Sequence, residues 1–183
     1  MEPVFTVGHG TRATEELAAL LASAGVGLLV DVRRFPGSRR HPHFAREALA
    51  ESLPALGVAY EWRGEELGGR RSRDRSGSRH PAWRNDAFAG YADHMDTPVF
   101  RAALERIETE ARSGVRLAVM CAETLWWRCH RRLIADALVL RGVEVVHLVQ
   151  PGNSTPHPVN EAARLGDDGY PVYDVGATPE LPL

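Results

Sequence analysis

Two thiols, a carboxylate, an imidazole and three arginines crowd into CAETLWWRCHRR, residues 121–132. Cys121 and Glu123 stand one residue apart, and Cys129, His130 and Arg131 follow a pair of tryptophans. A thiol becomes a nucleophile when cations or a helix N-terminus favour its thiolate. A carboxylate or imidazole beside it can move the protons. Cys121 and Cys129 are therefore candidate nucleophiles, and His9, Glu123 and His130 candidate acids or bases. Arg131, together with Asp31 and Arg33, Ser38 and Arg39, would hold an anionic substrate, since guanidinium groups match phosphate and carboxylate geometry. Trp126 could stack on a ring of that substrate.

The elements that must position these residues can be read from hydrophobic periodicity. VFTVGH (4–9), VGLLVDVR (26–33), VAYEW (58–62), VRLAVMC (115–121) and VEVVHLV (143–149) read as short strands. Between them lie amphipathic stretches: ATEELAALLASAG, FAREALAESLPALG, NDAFAGYADHM, TPVFRAALERIETEARSG and CHRRLIADALVLRG. Thr97 followed by Pro98 is a helix start. Such alternation predicts an open, mostly parallel five-stranded α/β sheet, of order 3-2-1-4-5, with helices on both faces. Residues 1–150 would form one α/β domain. Residues 151–183 would be a tail packed on it or extending it, with a short last strand in YPVYDV. In such sheets ligands bind beyond the carboxyl ends of the strands. His9, Asp31 and Arg33, Trp62 and Arg63, and Cys121 and Glu123 all fall at strand ends of that one edge.

Spacing excludes several familiar chemistries. Residue 127 is Trp, so Cys121 does not open the cysteine–five residues–arginine loop of a tyrosine phosphatase, and a rhodanese-type loop is tighter. The two cysteines do not form a C-x-x-C redox motif, and no cysteine–histidine spacing matches a structural zinc site. The residues name no cofactor and no oligomeric state.

The 183-residue chain has a net charge of −2 and all 22 of its basic side chains other than histidine are arginine. Five of them lie in residues 33–46 and seven in residues 63–84. These loops offer a second reading, a module that binds nucleic acid through phosphate contacts; a pI near 6.4 weighs against a general binder. A third reading is a metal or redox sensor built on Cys121, Cys129 and a histidine. No apolar run approaches the roughly 20 residues of a membrane span, and the N-terminus lacks a secretory signal. A cytoplasmic protein without membrane contact is expected.

Five motifs occur in order: Thr6-Val7-Gly8-His9-Gly10; Asp31-Val32-Arg33 with Pro36 and Ser38; Phe44; Leu67-Gly68-Gly69; and Cys121, Glu123 followed by Cys129-His130-Arg131. Over residues 4–150 the chain resembles the family catalogued as domain of unknown function 488. The resemblance implies an α/β fold and a shared site made of those motif residues, and it implies no reaction. Gly10 departs from the pattern, since many members carry Ser there, and the Trp126-Trp127 pair replaces less aromatic residues.

Overall fold

A computed structural model describes residues 1–37, 41–74 and 77–177. The core is a sheet made of β1 (Val4–Gly8), β2 (Leu28–Asp31), β3 (Ala59–Trp62), β4 (Leu117–Cys121), β5 (Val145–Gln150) and β6 (Asn153–Pro156). The helices are α1 (Thr14–Ser23), α2 (Arg46–Ala55), the single turn α3 (Gly64–Leu67), α4 (Asp86–Met95), α5 (Pro98–Arg112) and α6 (Arg131–Leu140). A hairpin of β7 (Ala163–Leu165) and β8 (Pro171–Tyr173) forms a separate two-stranded sheet.

The α/β class and the mostly parallel sheet agree with the sequence reading; strand number and order do not. There are six strands in the order β3-β2-β4-β1-β5-β6, not five in the order 3-2-1-4-5. The expected neighbours β1 and β4 do pair, but with their places exchanged: β4 lies against β2, and β1 lies between β4 and β5. Both are buried along their whole length, so apolarity alone cannot tell which of them adjoins β2. The sixth strand, NSTP, is polar and exposed throughout, and pairs antiparallel to β5 across a tight turn. An exposed edge strand carries no hydrophobic alternation, so the sequence gives it no signal.

Each strand sends alternate side chains to opposite faces. On β4, Leu117, Val119 and Cys121 enter a core shared with α4, α5 and α6, whereas Ala118 and Met120 enter one shared with α1 and α2. Helices therefore cover both faces, and the period-two rule puts the Cys121 thiol on the side of α6. Thr97 caps α5 by accepting from the Phe100 amide at 3.3 Å, with Pro98 in its first turn.

The segment read as one helix over 129–142 is built in two parts. A short 3-10 turn spans Trp126–Arg128, Cys129 is extended, and α6 begins only at Arg131. Beyond β5 the chain stays on the same body. The His157 amide bonds to the Val145 carbonyl, and Tyr173 of β8 is fully buried, its hydroxyl donating to Asp136 of α6 at 3.0 Å.

Candidate active site

Where β1 and β4 run out, the ladder between them continues through the loops. The His9 amide bonds to the Cys121 carbonyl and the Gly10 amide to the Ala122 carbonyl, each at 3.0 Å. This zips the Cys121–Glu123 loop onto Gly8. A Cβ at residue 8 would stand 2.0 Å from the Glu123 carbonyl oxygen and 2.7 Å from Arg131 Nη1, so only glycine fits.

Arg131, the first residue of α6, is buried and reaches back under this loop. Its Nη1 donates to Cys121 Sγ at 3.2 Å and its Nη2 to the Thr124 carbonyl at 2.8 Å, while Nε is buried without a partner. Burial acts to raise the Cys121 pKa. A hydrogen bond from Cys129 and the Arg131 charge act against it, and the net result lies below the ordinary thiol value. Cys129 goes the other way: burial and the neighbouring Cys121 push it well above that value. Of the two sulfurs, Cys121 is the one on which these surroundings favour negative charge.

His130 completes this corner. Its Nε2 donates to the Val32 carbonyl at 3.3 Å, which leaves Nδ1 as an acceptor 3.6 Å from Cys129 Sγ. Burial lowers its pKa to about 4, so the ring is neutral at pH 7. Tyr91 packs 4.9 Å from the ring, and Gly69 lies close beneath it, where a Cβ would come within 2.8 Å of Nδ1.

A second cluster stands at the end of β2. Arg33 clasps Asp31 in a bidentate pair, Nε to Oδ1 at 2.9 Å and Nη2 to Oδ2 at 2.6 Å, and Nη2 also bonds the Phe44 carbonyl. Tyr60 donates to Asp31 Oδ2 at 2.7 Å. The His9 Nδ1 donates to the Gly10 carbonyl at 2.9 Å, so Nε2 accepts from Arg33 Nη1 at 3.2 Å. The His9 ring stacks on Phe44 at 4.1 Å. Burial, aided by the Arg33 charge, lowers the His9 pKa to about 4.

Between the two clusters opens a hollow of about 490 Å³. Cys121, Glu123, Cys129, His130 and Arg33 line it, with Arg34, Arg70 and Arg128 at its borders and Phe35 and Phe88 as apolar walls. Among the described residues, Arg34, Arg70 and Arg128 make no ion pair; Arg34 Nη1 donates to the Arg70 carbonyl at 2.9 Å, and both guanidinium groups lie over the Phe35 ring.

Of the residues singled out in the sequence, Cys121, Glu123, Cys129, His130 and Arg33 meet at this hollow. Arg131 and Asp31 stand behind it as supports. His9 reaches it only through Arg33, and its neutral ring positions that guanidinium. Trp126 lies elsewhere: it stacks on His147 at 4.2 Å with the planes 9° apart, so it offers no face to a ligand in the hollow. Ser38 and Arg39 fall outside the described residues. Among the described residues, no three His, Cys, Asp or Glu side chains gather in a manner that could hold a metal ion.

Sequence reasoning missed Tyr60, whose role follows from strand register and not from any local pattern: β3 runs parallel to β2 and sets Tyr60 beside Leu29. It also missed a buried relay in which Thr6 bonds His147 at 2.6 Å, His147 bonds His157 at 2.9 Å, and His157 bonds Asp136 at 2.9 Å. Trp126 covers that relay.

No curated protein and no solved structure matches the chain. A family model described as "Domain of unknown function DUF488" matches residues 13–138. That span takes in the Asp31–Arg33, Phe44, Leu67–Gly69 and Cys121–Arg131 motifs, and the chain belongs to the DUF488 family.

Proposed function

We propose that the protein is a thiol-dependent hydrolase or transferase acting on a small anionic substrate, of phosphate or nucleotide type, with Cys121 as the nucleophile. One observation carries this reading: a thiol with a guanidinium 3.2 Å from its sulfur borders a hollow that also carries Glu123 and three arginines which, among the described residues, form no ion pair. The arginines hold the anion. The Cys121 sulfur attacks its electrophilic centre, and the leaving group departs with the bonding pair and is protonated from water or Glu123. Water or an acceptor, deprotonated by Glu123, then displaces the sulfur and restores the thiolate. Preorganised charge of this kind acts most strongly where water is excluded.

The nucleic-acid reading is weaker on the same grounds. Three of the seven arginines of the 63–84 segment are engaged with the protein's own carboxylates: Arg63 with Glu61 and Glu110, Arg73 with Asp86, Arg79 with Asp96 and Asp168.

The test is iodoacetamide labelling at neutral pH, followed by peptide mass spectrometry, with and without inorganic phosphate or nucleoside monophosphates. Cys121 is expected to label ahead of Cys129, and the anions to slow it. Two unlabelled cysteines, or labelling indifferent to every anion, would overturn the proposal.

A further inference from the structure

The proposed reaction uses one thiol, yet two border the hollow, and both are free and reduced. Cys121 and Cys129 line the same hollow, and each thiol perturbs the other's pKa as neighbouring ionisable groups do. Cys129 Sγ is 3.6 Å from the acceptor nitrogen of His130, which the Val32 carbonyl fixes in that tautomer. Cys129 itself is in extended backbone, φ −122° and ψ 149°, between the 3-10 turn and α6. Closing to the roughly 2 Å of an S–S bond therefore asks a loop residue to move and leaves the helix intact.

We propose that Cys121 and Cys129 form a peroxide-reactive modification site, in which hydrogen peroxide or a small hydroperoxide oxidises Cys121 and Cys129 resolves it to an intramolecular disulfide. In the first step the Cys121 thiolate attacks a peroxide oxygen and the O–O bond breaks. Cys121 becomes a sulfenic acid, and the hydroxide or alkoxide released takes a proton from water. In the second, the Cys129 sulfur attacks the Cys121 sulfur, the S–O bond breaks, and the Cys129 proton leaves with the hydroxyl as water. The sulfur pair loses two electrons and the peroxide gains them. His130 stands where it can take the Cys129 proton as that sulfur attacks. Arg131 stabilises the starting thiolate. Cys121 borders the hollow but is only 2% exposed, which favours a small hydroperoxide over a bulky disulfide as oxidant.

The proposal rests on the reading of Cys121 as a reactive thiolate and adds a control to it: the disulfide ties up the nucleophile, and thiol reductants release it. The test is mass spectrometry of the intact, full-length chain after hydrogen peroxide treatment, with dimedone present as a sulfenic-acid trap. Wild type is expected to lose two hydrogens, to yield a Cys121–Cys129 cross-linked peptide, and to return to its starting mass with dithiothreitol. C129S, or C129A should the serine variant fold poorly, is expected to accumulate a dimedone adduct on Cys121, and C121S no adduct on Cys129. Over-oxidation of Cys121 in wild type without a disulfide, or an adduct on Cys129, would contradict the proposal. Those results leave iodoacetamide labelling of Cys121 intact, whereas failure of the thiolate reading removes that labelling too.

Discussion

Replacing Arg131 by methionine removes the cation that faces Cys121 while keeping an unbranched, apolar side chain in its place. The lost bond is charge-assisted and buried, with Nη1 3.2 Å from the sulfur. Such bonds contribute about 1.5–3 kcal/mol, which corresponds to a rise of about one to two units in the Cys121 pKa. The pH midpoint of its alkylation should move up by that amount. Arg131→Lys, which restores a charge but not the fork, should recover part of the shift. The assay is the iodoacetamide rate against pH, read at Cys121 by mass spectrometry. Far-ultraviolet circular dichroism checks the fold, since the 2.8 Å bond to Thr124 is lost as well. An unchanged midpoint in a folded Arg131→Met protein would refute the claim that this arginine activates the thiol.

Three further outcomes are expected. His9 and His130 titrate near 4 and His147 near 3 in the folded chain, against 6.5 when unfolded. The unfolded chain therefore binds more protons as pH falls below 6.5, and stability drops, by about 3 kcal/mol for each of the first two, until the folded values are passed. Urea midpoints that stay constant from pH 7 to about pH 4 would contradict this. Gly69→Ala should destabilise by about 1–3 kcal/mol in chemical denaturation, because its methyl meets His130 at 2.8 Å and the His130 ring must shift; an unchanged midpoint would contradict the close packing. Asp31→Ala leaves the buried Arg33 and the half-buried Tyr60 without their shared acceptor, so a loss of about 3–5 kcal/mol is expected, and a loss below about 1 kcal/mol would count against the cluster.

The legible part of this molecule was whatever depends on local pattern. Strand–helix alternation yields the α/β class, and the carboxyl-edge rule brings Cys121, Glu123, Cys129 and His130 to the same edge as Arg33 before any coordinates. The strand order was not legible, because β1 and β4 are equally apolar and only pairing partners distinguish them. Trp126 misled for a related reason. An aromatic residue in a loop looks available for stacking, but His147, 21 positions later, rises beneath it from β5 and takes that face. Tyr60 and the support it gives Asp31 depend on a register between distant segments, which no window of sequence contains. His9 was rightly seen at the edge, but its neutral, Arg33-bound state depends on burial, which the sequence does not reveal.

The proposed reaction requires a Cys121 thiolate beside arginines that, among the described residues, form no ion pair. Comparing iodoacetate with iodoacetamide at Cys121 tests both halves at once, since the two reagents differ by a negative charge. Iodoacetate is expected to react at least as fast as the neutral amide at low salt and to lose that standing as salt screens the arginines. Iodoacetate slower than the amide at every ionic strength would mean that the hollow exerts no pull on anions, and the proposed chemistry would fail with it.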